Sequence, residues 1–200
     1  TGVQTCALPI SKMESFSRIN AVYDFDAIRQ QIKPNEAYVD ILRVPFYDYE
    51  NKTWPDSSFY FAYVVTSETK ESPVVINLGD GKSLDEQVFP YMVNQITTNR
   101  AMSFDGGVYN YLWKPLEASL EGKNRIFLSS GGIYNSLNLE TIFHAETGKY
   151  LFEEKEIHLV SSGRSFVDQR VYGNRDYTDR TALIMGAPNF DFTNEVDSTL

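Results

Sequence analysis

Hydrophobic positions along the chain follow two periods, and the shorter period predicts β-strands. Runs of β-branched and aromatic residues bounded by polar turn residues are typical of strands. The predicted strands are 37–49, 59–66, 74–78, 125–129, 156–162 and 181–188. Nearly every residue of 59–66 is apolar or aromatic, so we expect this strand to be buried on both faces of its sheet.

Apolar residues that recur every three or four positions predict helices between these strands. The first helix is predicted over 18–32. Ser83 and Glu86 form a capping box that opens a second helix, and a third runs from about 108 to 121. A short helix is expected near 139–143.

Prolines and glycines shape these elements. Pro90 and Pro115 should distort the second and third helices, because proline lacks an amide hydrogen and clashes with the preceding turn. Gly122 is the expected C-cap of the third helix, and Gly131 and Gly132 form a tight turn after the strand 125–129. Since strands alternate with helices, the predicted fold class is α/β, with a mixed β-sheet flanked by helices.

Composition and charge exclude several classes of protein. The 200 residues suit one domain or one domain plus a fragment of a second, and 42% hydrophobic and 14% aromatic residues are enough for a core. The 18 Lys and Arg against 27 Asp and Glu give a net charge of −9, which argues against a nucleic-acid partner. No apolar run approaches the roughly 18 residues that a membrane span needs, so we expect no membrane partner.

The first ten residues differ from the rest of the chain. Residues 1–10 carry no charge and no helical or strand period, and they resemble the translation of a common sequencing-library adaptor. The alternative is an ordinary loose N-terminus. If 1–10 are an adaptor, we expect the chain to be a gene fragment whose natural part lacks Cys6, its one cysteine. A multi-cysteine metal site is impossible in either case, and we expect no metal and no cofactor.

A glycine-containing turn between a predicted strand and a predicted helix is one candidate site. Residues 79–83 have the setting of a phosphate-binding loop, in which main-chain N–H groups and Lys82 would hold phosphates. The full motif needs a glycine where the sequence has Ile76. We therefore favour a β-turn followed by a capped helix, and we keep a nucleotide-binding domain, using Lys82 and Ser83, as the last alternative.

The two histidines are further candidates for chemistry. His158 lies in a predicted strand, on the face opposite Ile157 and Leu159, and His144 is expected to close the short helix. Neither has the local spacing of a metal site, and no G-x-S-x-G elbow is present to expose a serine nucleophile. We therefore expect both histidines to be structural or surface residues.

Two other patterns have an ordinary explanation. Asp191, Glu195 and Asp197 follow the strand 181–188, at the kind of strand end that carries sites in open α/β sheets, but a solvated acidic tail explains them as well. Asn51 and Thr53 belong to a glycosylation sequon, which we attribute to chance because nothing else indicates secretion.

A series of short motifs follows in a recognisable order in the second half of the chain. The motifs are Trp-Lys-Pro (113–115), Ser-Ser-Gly-Gly (129–132), Leu-Asn-Leu-Glu (137–140), Thr-Gly-Lys-Tyr-Leu (147–151) and Ser-Ser-Gly-Arg (161–164). This order resembles the CHAT domain family, a caspase-like module that usually follows tetratricopeptide repeats. Upstream, 33–37 and the strand 59–66 are similar to the region before and inside that domain, and the likeness spans about 18–192.

The resemblance implies an incomplete caspase-like architecture. Residues 11–36 would be a linker or helix from the upstream region, 37–180 the N-terminal supporting lobe, and 181–200 the truncated first strand of the catalytic lobe. The turn at 129–132 departs from the family's Pro-Asp-Gly pattern but keeps a tight turn. The family's catalytic His and Cys lie in His-Gly and Ser-Ala-Cys-like motifs after later strands, and neither motif is present. No catalytic residue is therefore assigned.

Two functions follow from the resemblance. The first is a non-catalytic N-terminal piece of a cytoplasmic, caspase-like cysteine peptidase that cuts protein substrates and carries tetratricopeptide repeats upstream. The second is an inactive CHAT scaffold that binds partner proteins.

Overall fold

The computed structural model describes residues 23–97 and 107–173, whose strands form a five-stranded mixed sheet and a two-stranded sheet. The strands are β1 (Glu36–Pro45), β2 (Ser58–Thr66), β3 (Val74–Asp80), β4 (Arg125–Ser129), β5 (Phe143–His144), β6 (Lys149–Tyr150) and β7 (Glu156–Leu159). The larger sheet has the order β3-β2-β1-β4-β7, and β5 pairs with β6. Strand β1 is antiparallel to β2 and parallel to β4, and β4 is parallel to β7.

Helices flank the larger sheet, which confirms the predicted α/β class. The α-helices are α1 (Phe25–Arg29), α2 (Gly81–Ser83), α3 (Phe89–Thr97), α4 (Gly107–Leu112), α5 (Leu151–Glu154) and α6 (Gly163–Tyr172). A π-helical segment (Leu84–Val88) joins α2 to α3, and three 3-10 helices complete the set: Lys114–Leu120, Gly132–Ser136 and Leu139–Thr141.

One face of the five-stranded sheet, here named the core face, carries the main hydrophobic core. Val39, Ile41, Tyr60 and Ile126 have no exposed surface there. The helical layer packed on them includes Met92, Leu112, Trp113, Leu116 and Leu120. Removing this apolar area from water is the dominant favourable contribution to the fold.

The opposite face, here named the outer face, is covered mainly at one end. Tyr38, Val65 and Phe127 are buried there under Phe166 of α6, and α1 packs beside them. Burial along β2 therefore alternates instead of being complete, because Phe59, Phe61 and Tyr63 on the outer face are only half-buried. The expectation that 59–66 is buried on both faces was wrong.

The second predicted helix begins earlier than expected. Asp80, not Ser83, is its N-cap, and the Asp80 carboxylate accepts a hydrogen bond from the Ser83 amide at 2.8 Å. The distortion expected at Pro90 lies in the turns just before it, where the Phe89 amide bonds to the carbonyl of Leu84, five residues back. A π turn of this kind widens the helix and is a recognised source of helix irregularity.

The third predicted helix is divided into two. Helix α4 ends at Leu112 and a 3-10 helix continues from Lys114, with Pro115 in its first turn. Trp113, at the junction, is 1% exposed, so core packing holds the break in place. Gly122 has a φ of +70°, as the expected C-cap requires.

Other differences are local. Within the described residues of the first predicted helix, 23–32, the helix runs over Phe25–Arg29 with Asp24 as its N-cap, and 18–22 lie outside the described residues. The helix predicted near 139–143 is a single 3-10 turn. Helix α6 was missed because only Phe166 and Val167 of its side chains are buried, which leaves no clear apolar stripe. The predicted strand 181–188 lies outside the described residues.

The turn after β4 approaches β2 closely. Gly132 has a φ of +59°, and a Cβ built there would lie 2.1 Å from the hydroxyl oxygen of Tyr60. That hydroxyl donates to Asp85 at 2.7 Å and accepts from the Ile133 amide at 3.0 Å. The turn is therefore fixed to the core by a buried tyrosine.

A buried carboxylate connects the outer-face helix to the sheet. Glu36, with no exposed surface, accepts from Arg170 of α6 at 2.5 Å and from the Lys33 amide at 3.1 Å. Arg125 of β4 lies 3.5 Å from its other oxygen. Burial acts to raise the pKa of Glu36, but the hydrogen bonds from Arg170 and Lys33 outweigh burial and hold the pKa below its ordinary value.

We expect Gly132→Ala to destabilise the protein more than Gly148→Ala. Gly148 also has a positive φ, +70°, but an added Cβ would meet nothing within 4 Å. Gly148→Ala should therefore cost only the backbone strain, about 1 kcal/mol, while Gly132→Ala should cost roughly 1–3 kcal/mol more because it crowds Tyr60. Urea unfolding of both variants measures the difference, and equal losses would contradict the close approach.

We expect Glu36→Gln to lower the free energy of unfolding by about 2–3 kcal/mol at pH 7, because it leaves two arginines without their buried anion. A lowered pKa means that the ionised Glu36 stabilises the fold above its unfolded pKa, and that this contribution is lost as the pH falls below about 4.5. The difference in the free energy of unfolding between wild type and Glu36→Gln should therefore become smaller from pH 7 to pH 3. The matched control is Glu156→Gln, which removes an exposed partner of Arg125 and should cost clearly less. A gap that stays constant with pH would contradict this role.

Candidate functional site

The ionisable side chains that come closest to a functional constellation lie beside the 3-10 helix Lys114–Leu120. Tyr109, Glu117, His144 and Glu154 form this group, here named the His144 cluster. The His144 ring stacks on the Tyr109 ring, with centroids 4.1 Å apart and planes 6° from parallel. His144 Nδ1 lies 3.0 Å from a Glu154 oxygen, and the Tyr109 hydroxyl donates to Glu117.

The electrostatics of the His144 cluster keep the Glu154 carboxylate charged and the Tyr109 hydroxyl neutral. Burial and then the hydrogen bond to Glu117 raise the pKa of the Tyr109 hydroxyl far above its usual range. Burial acts to raise the pKa of Glu154, but hydrogen bonds from Thr147 and His144 outweigh it and leave the pKa lowered. The cluster borders an open cavity of about 630 Å³, which Lys155 also lines.

The geometry of the cluster orients an imidazole without presenting it to a nucleophile. A carboxylate on one ring nitrogen is the arrangement that orients a catalytic histidine. However, the Tyr109 hydroxyl, the one hydroxyl of the cluster, donates to Glu117. The expectation that His144 closes a helix was wrong, because the residue lies on β5.

His158 belongs to a second, more exposed group at the edge of the sheet. Its Nε2 lies 2.8 Å from Glu156, and its ring stacks on Phe127 of the neighbouring strand at 5.2 Å. The side chain is 44% exposed. The ring lies on the outer face and Ile157 packs against the core cluster, so the predicted alternation along this strand is confirmed.

The turn at 79–83 is occupied by the protein itself. The Asp80 carboxylate already binds the Ser83 amide, which places a negative charge where a phosphate would lie. Gly81 packs against Ser58 so closely that a Cβ would lie 2.0 Å from its hydroxyl oxygen. Lys82 is exposed. The geometry favours the capped turn over a phosphate-binding loop.

The remaining sequence candidates do not add to either histidine group. Asn51 lies in the turn between β1 and β2, where its side-chain amide donates to Asp48 at 2.8 Å. Cys6, Asp191, Glu195 and Asp197 lie outside the described residues.

The described part of the chain has the features of neither a metal site nor a membrane span. Within 23–97 and 107–173, no group of three or more His, Cys, Asp or Glu side chains could hold a metal ion. In the same ranges, no helix has the length and apolar character needed to cross a membrane.

Sequence reasoning found the histidines but missed their partners. Glu154 is ten residues from His144, and the two meet only because β5 and β6 fold back on each other around Gly148. Tyr109 and Glu117 are eight residues apart across the broken helix. Turn residues at 147–148 were the one available signal for the first pair.

The motif residues between 113 and 164 have structural roles. Trp113 and Leu139 are buried in the core, and Leu151 has no exposed surface. Gly131 approaches β1, where an added Cβ would lie 2.7 Å from the carbonyl of Ile41. Ser162 is the N-cap of α6 and accepts from the Ser165 amide. Turns, caps and core positions therefore explain why these residue types follow in this order.

Comparison with known proteins agrees with the order of these motifs. The model of the CHAT domain family matches residues 107–200, which includes every motif from 113 to 164. The upstream part of the likeness, 18–106, lies outside the matched range. No curated protein and no solved structure matches the chain. Residues 107–200 of this chain are therefore similar to the CHAT domain family.

Proposed function

We propose that this chain is the non-catalytic, N-terminal supporting lobe of a CHAT-domain protein. The observation that carries the proposal is the state of its two histidines. Each lies beside a carboxylate and is stacked on an aromatic ring, His144 on Tyr109 and His158 on Phe127. Both are therefore parts of the packing of this lobe, and neither is held against a nucleophilic hydroxyl in the described contacts.

The larger protein would be a caspase-like cysteine peptidase. The family's dyad belongs to a His-Gly motif and a Ser-Ala-Cys-like motif, neither of which occurs in these 200 residues. An imidazole from the first would activate a thiol from the second for attack on a peptide carbonyl. By the same resemblance, the protein would be cytoplasmic, would follow tetratricopeptide repeats and would act on protein substrates.

The sheet offers a place where such a catalytic lobe would join. Strands β4 and β7 are parallel neighbours, so the segments that follow Ser129 and Leu159 leave the sheet on the same side, at the carboxyl ends of these strands. Sites in open α/β sheets form at the carboxyl ends of parallel strands. The supporting lobe would therefore contribute position and rigidity, with Gly131 packed on β1 on that side.

A scaffold is the second candidate, and one observation favours it. Trp54 and Tyr49 in the turn between β1 and β2 are 64% and 83% exposed. Both rings contact Tyr47, with centroids 4.8 Å away. Exposed Trp and Tyr clusters are typical of protein-binding surfaces. In this candidate the larger protein would bind partner proteins through its CHAT domain and cleave none.

We expect the purified 200-residue protein to hydrolyse no peptide bond above background, because it contains neither dyad motif. Cleavage of a panel of fluorogenic peptides and of a labelled unfolded protein measures this, with Cys6→Ser as the matched control. Hydrolysis that Cys6→Ser, His144→Ala or His158→Ala abolishes, in variants that unfold normally, would overturn the non-catalytic assignment.

A longer protein that contains this sequence separates the two candidates. If a downstream His-Gly and Cys motif are present and replacing that Cys by Ala abolishes cleavage, the peptidase is supported. If cleavage is absent while Trp54→Ala weakens capture of a partner protein, the scaffold is supported.

A further inference from the structure

The outer face of the sheet has an exposed apolar patch beyond the N-terminal end of α1. The patch, here named the outer patch, consists of Leu42 and Val44 of β1 and Phe59, Phe61 and Tyr63 of β2. Leu42 pairs with Phe61 and Val44 with Phe59, so the five side chains form one continuous surface. Leu42 and Val44 are 42% and 37% exposed. A contiguous apolar surface of this kind marks an interaction site.

The same face is buried where helices cover it. Tyr38 and Val65, the pair that precedes the patch along β1, are each 2% exposed. Helices α1 and α6 lie over them. The boundary between the covered and exposed halves therefore coincides with the first described residues of the chain, at Tyr23.

The position of Tyr23 shows from which direction the chain reaches the boundary between the covered and exposed halves of the outer face. Tyr23 and Phe25 line a groove of about 270 Å³ together with Leu42 and Tyr63. At the other end of α1, the chain turns into β1 through Lys33, whose carbonyl accepts from the Glu36 amide at 2.9 Å. Traced backwards from Ile32 to Tyr23, the chain passes from the start of β1 toward Leu42. Helix α1 is therefore antiparallel to β1.

Tyr23 is fixed at this place. Its hydroxyl donates to Asp168 of α6 at 2.7 Å, and the Arg164 guanidinium lies 4.9 Å from the centre of its ring. Tyr23 therefore lies at the edge of the outer patch, in the groove that Leu42 also lines.

The sequence before Tyr23 suits an apolar surface. Met13, Phe16, Ile19 and Val22 recur every third residue, and Lys12 and Arg18 against Glu14 give residues 11–22 a net charge of +1. The acidic residues Asp24 and Asp40 line the same groove. From Leu42 to Phe46 the strand rises about 13 Å, and twelve helical residues span about 18 Å. The segment is therefore long enough to cover the patch.

We propose that residues 11–22 of this chain bind the outer patch, antiparallel to β1, and complete the outer layer that α1 begins. The segment places Phe16 and Ile19 over Leu42, Val44, Phe59 and Phe61. Through this packed contact, the polypeptide that precedes the sheet in the sequence is attached to the sheet. This inference concerns the fold of the chain itself and does not depend on whether the larger protein is a peptidase.

Disulfide trapping in the 200-residue protein tests the proposal. In a Cys6→Ser background, Phe16→Cys is combined with Leu42→Cys or Val44→Cys, and the control pair is Phe16→Cys with Tyr111→Cys. Tyr111 is 57% exposed on α4, over the core face. We expect intramolecular cross-links to the patch to form at least tenfold faster than to the control, as measured by mass spectrometry at low protein concentration.

Two outcomes of the trapping experiment would overturn the proposal. Equal rates for patch and control pairs would mean that the segment is not held on the patch. Disulfide-linked dimers whose yield rises with protein concentration would mean that a second copy of the chain occupies it.

Dye binding gives a second, independent measurement. The double variant Phe16→Asp with Ile19→Asp should raise the fluorescence of a hydrophobic dye several-fold, because the patch becomes accessible. The matched control, Ser15→Asp with Ser17→Asp, adds the same charge without removing apolar contacts and should leave the fluorescence unchanged. No difference between the two double variants would overturn the proposal.

Discussion

The fold depends on the burial of one strand on both of its faces. In the first half of β1, Val39 and Ile41 have no exposed surface on the core face, and Tyr38 is 2% exposed on the outer face. The strand also pairs on both edges, antiparallel with β2 and parallel with β4. A parallel pair cannot be closed by a tight turn, so a long connection must join β1 to β4. That connection supplies β2, β3 and the helical layer with Trp113 that covers the core face.

Buried charge determines how the outer helix is attached to this sheet. Glu36 at the start of β1 is bonded by Arg170 of α6 and lies near Arg125 of β4, so one carboxylate connects three elements. Each histidine is likewise paired with a carboxylate, His144 with Glu154 and His158 with Glu156. Chemistry-bearing residues in the described part of the chain are thus used for packing. This is the physical basis for proposing a supporting lobe in place of a catalytic one.

The CHAT family match includes residues whose types the geometry of the fold explains. The match covers residues 107–200, and its motifs mark the break at Trp113, the turn at Gly131 and the cap at Ser162. Each of these positions has a steric or hydrogen-bonding requirement that few residue types meet. The outer patch has no such explanation within the described residues, and the segment before Tyr23 is the occupant that chain direction and apolar spacing favour.

The sequence alone determined the elements whose signal is local. β-Branched and aromatic runs located β1 to β4 and β7 within a few residues, and Gly122 marked the end of the third predicted helix, because these preferences act over one turn or one strand. Tertiary structure decided everything that needs a distant partner. It broke the third predicted helix at the buried Trp113, left one face of 59–66 half-buried and placed Glu154 against His144. Burial and ion pairing depend on which segments meet across the sheet, and that arrangement is a property of the whole chain and not of any window within it.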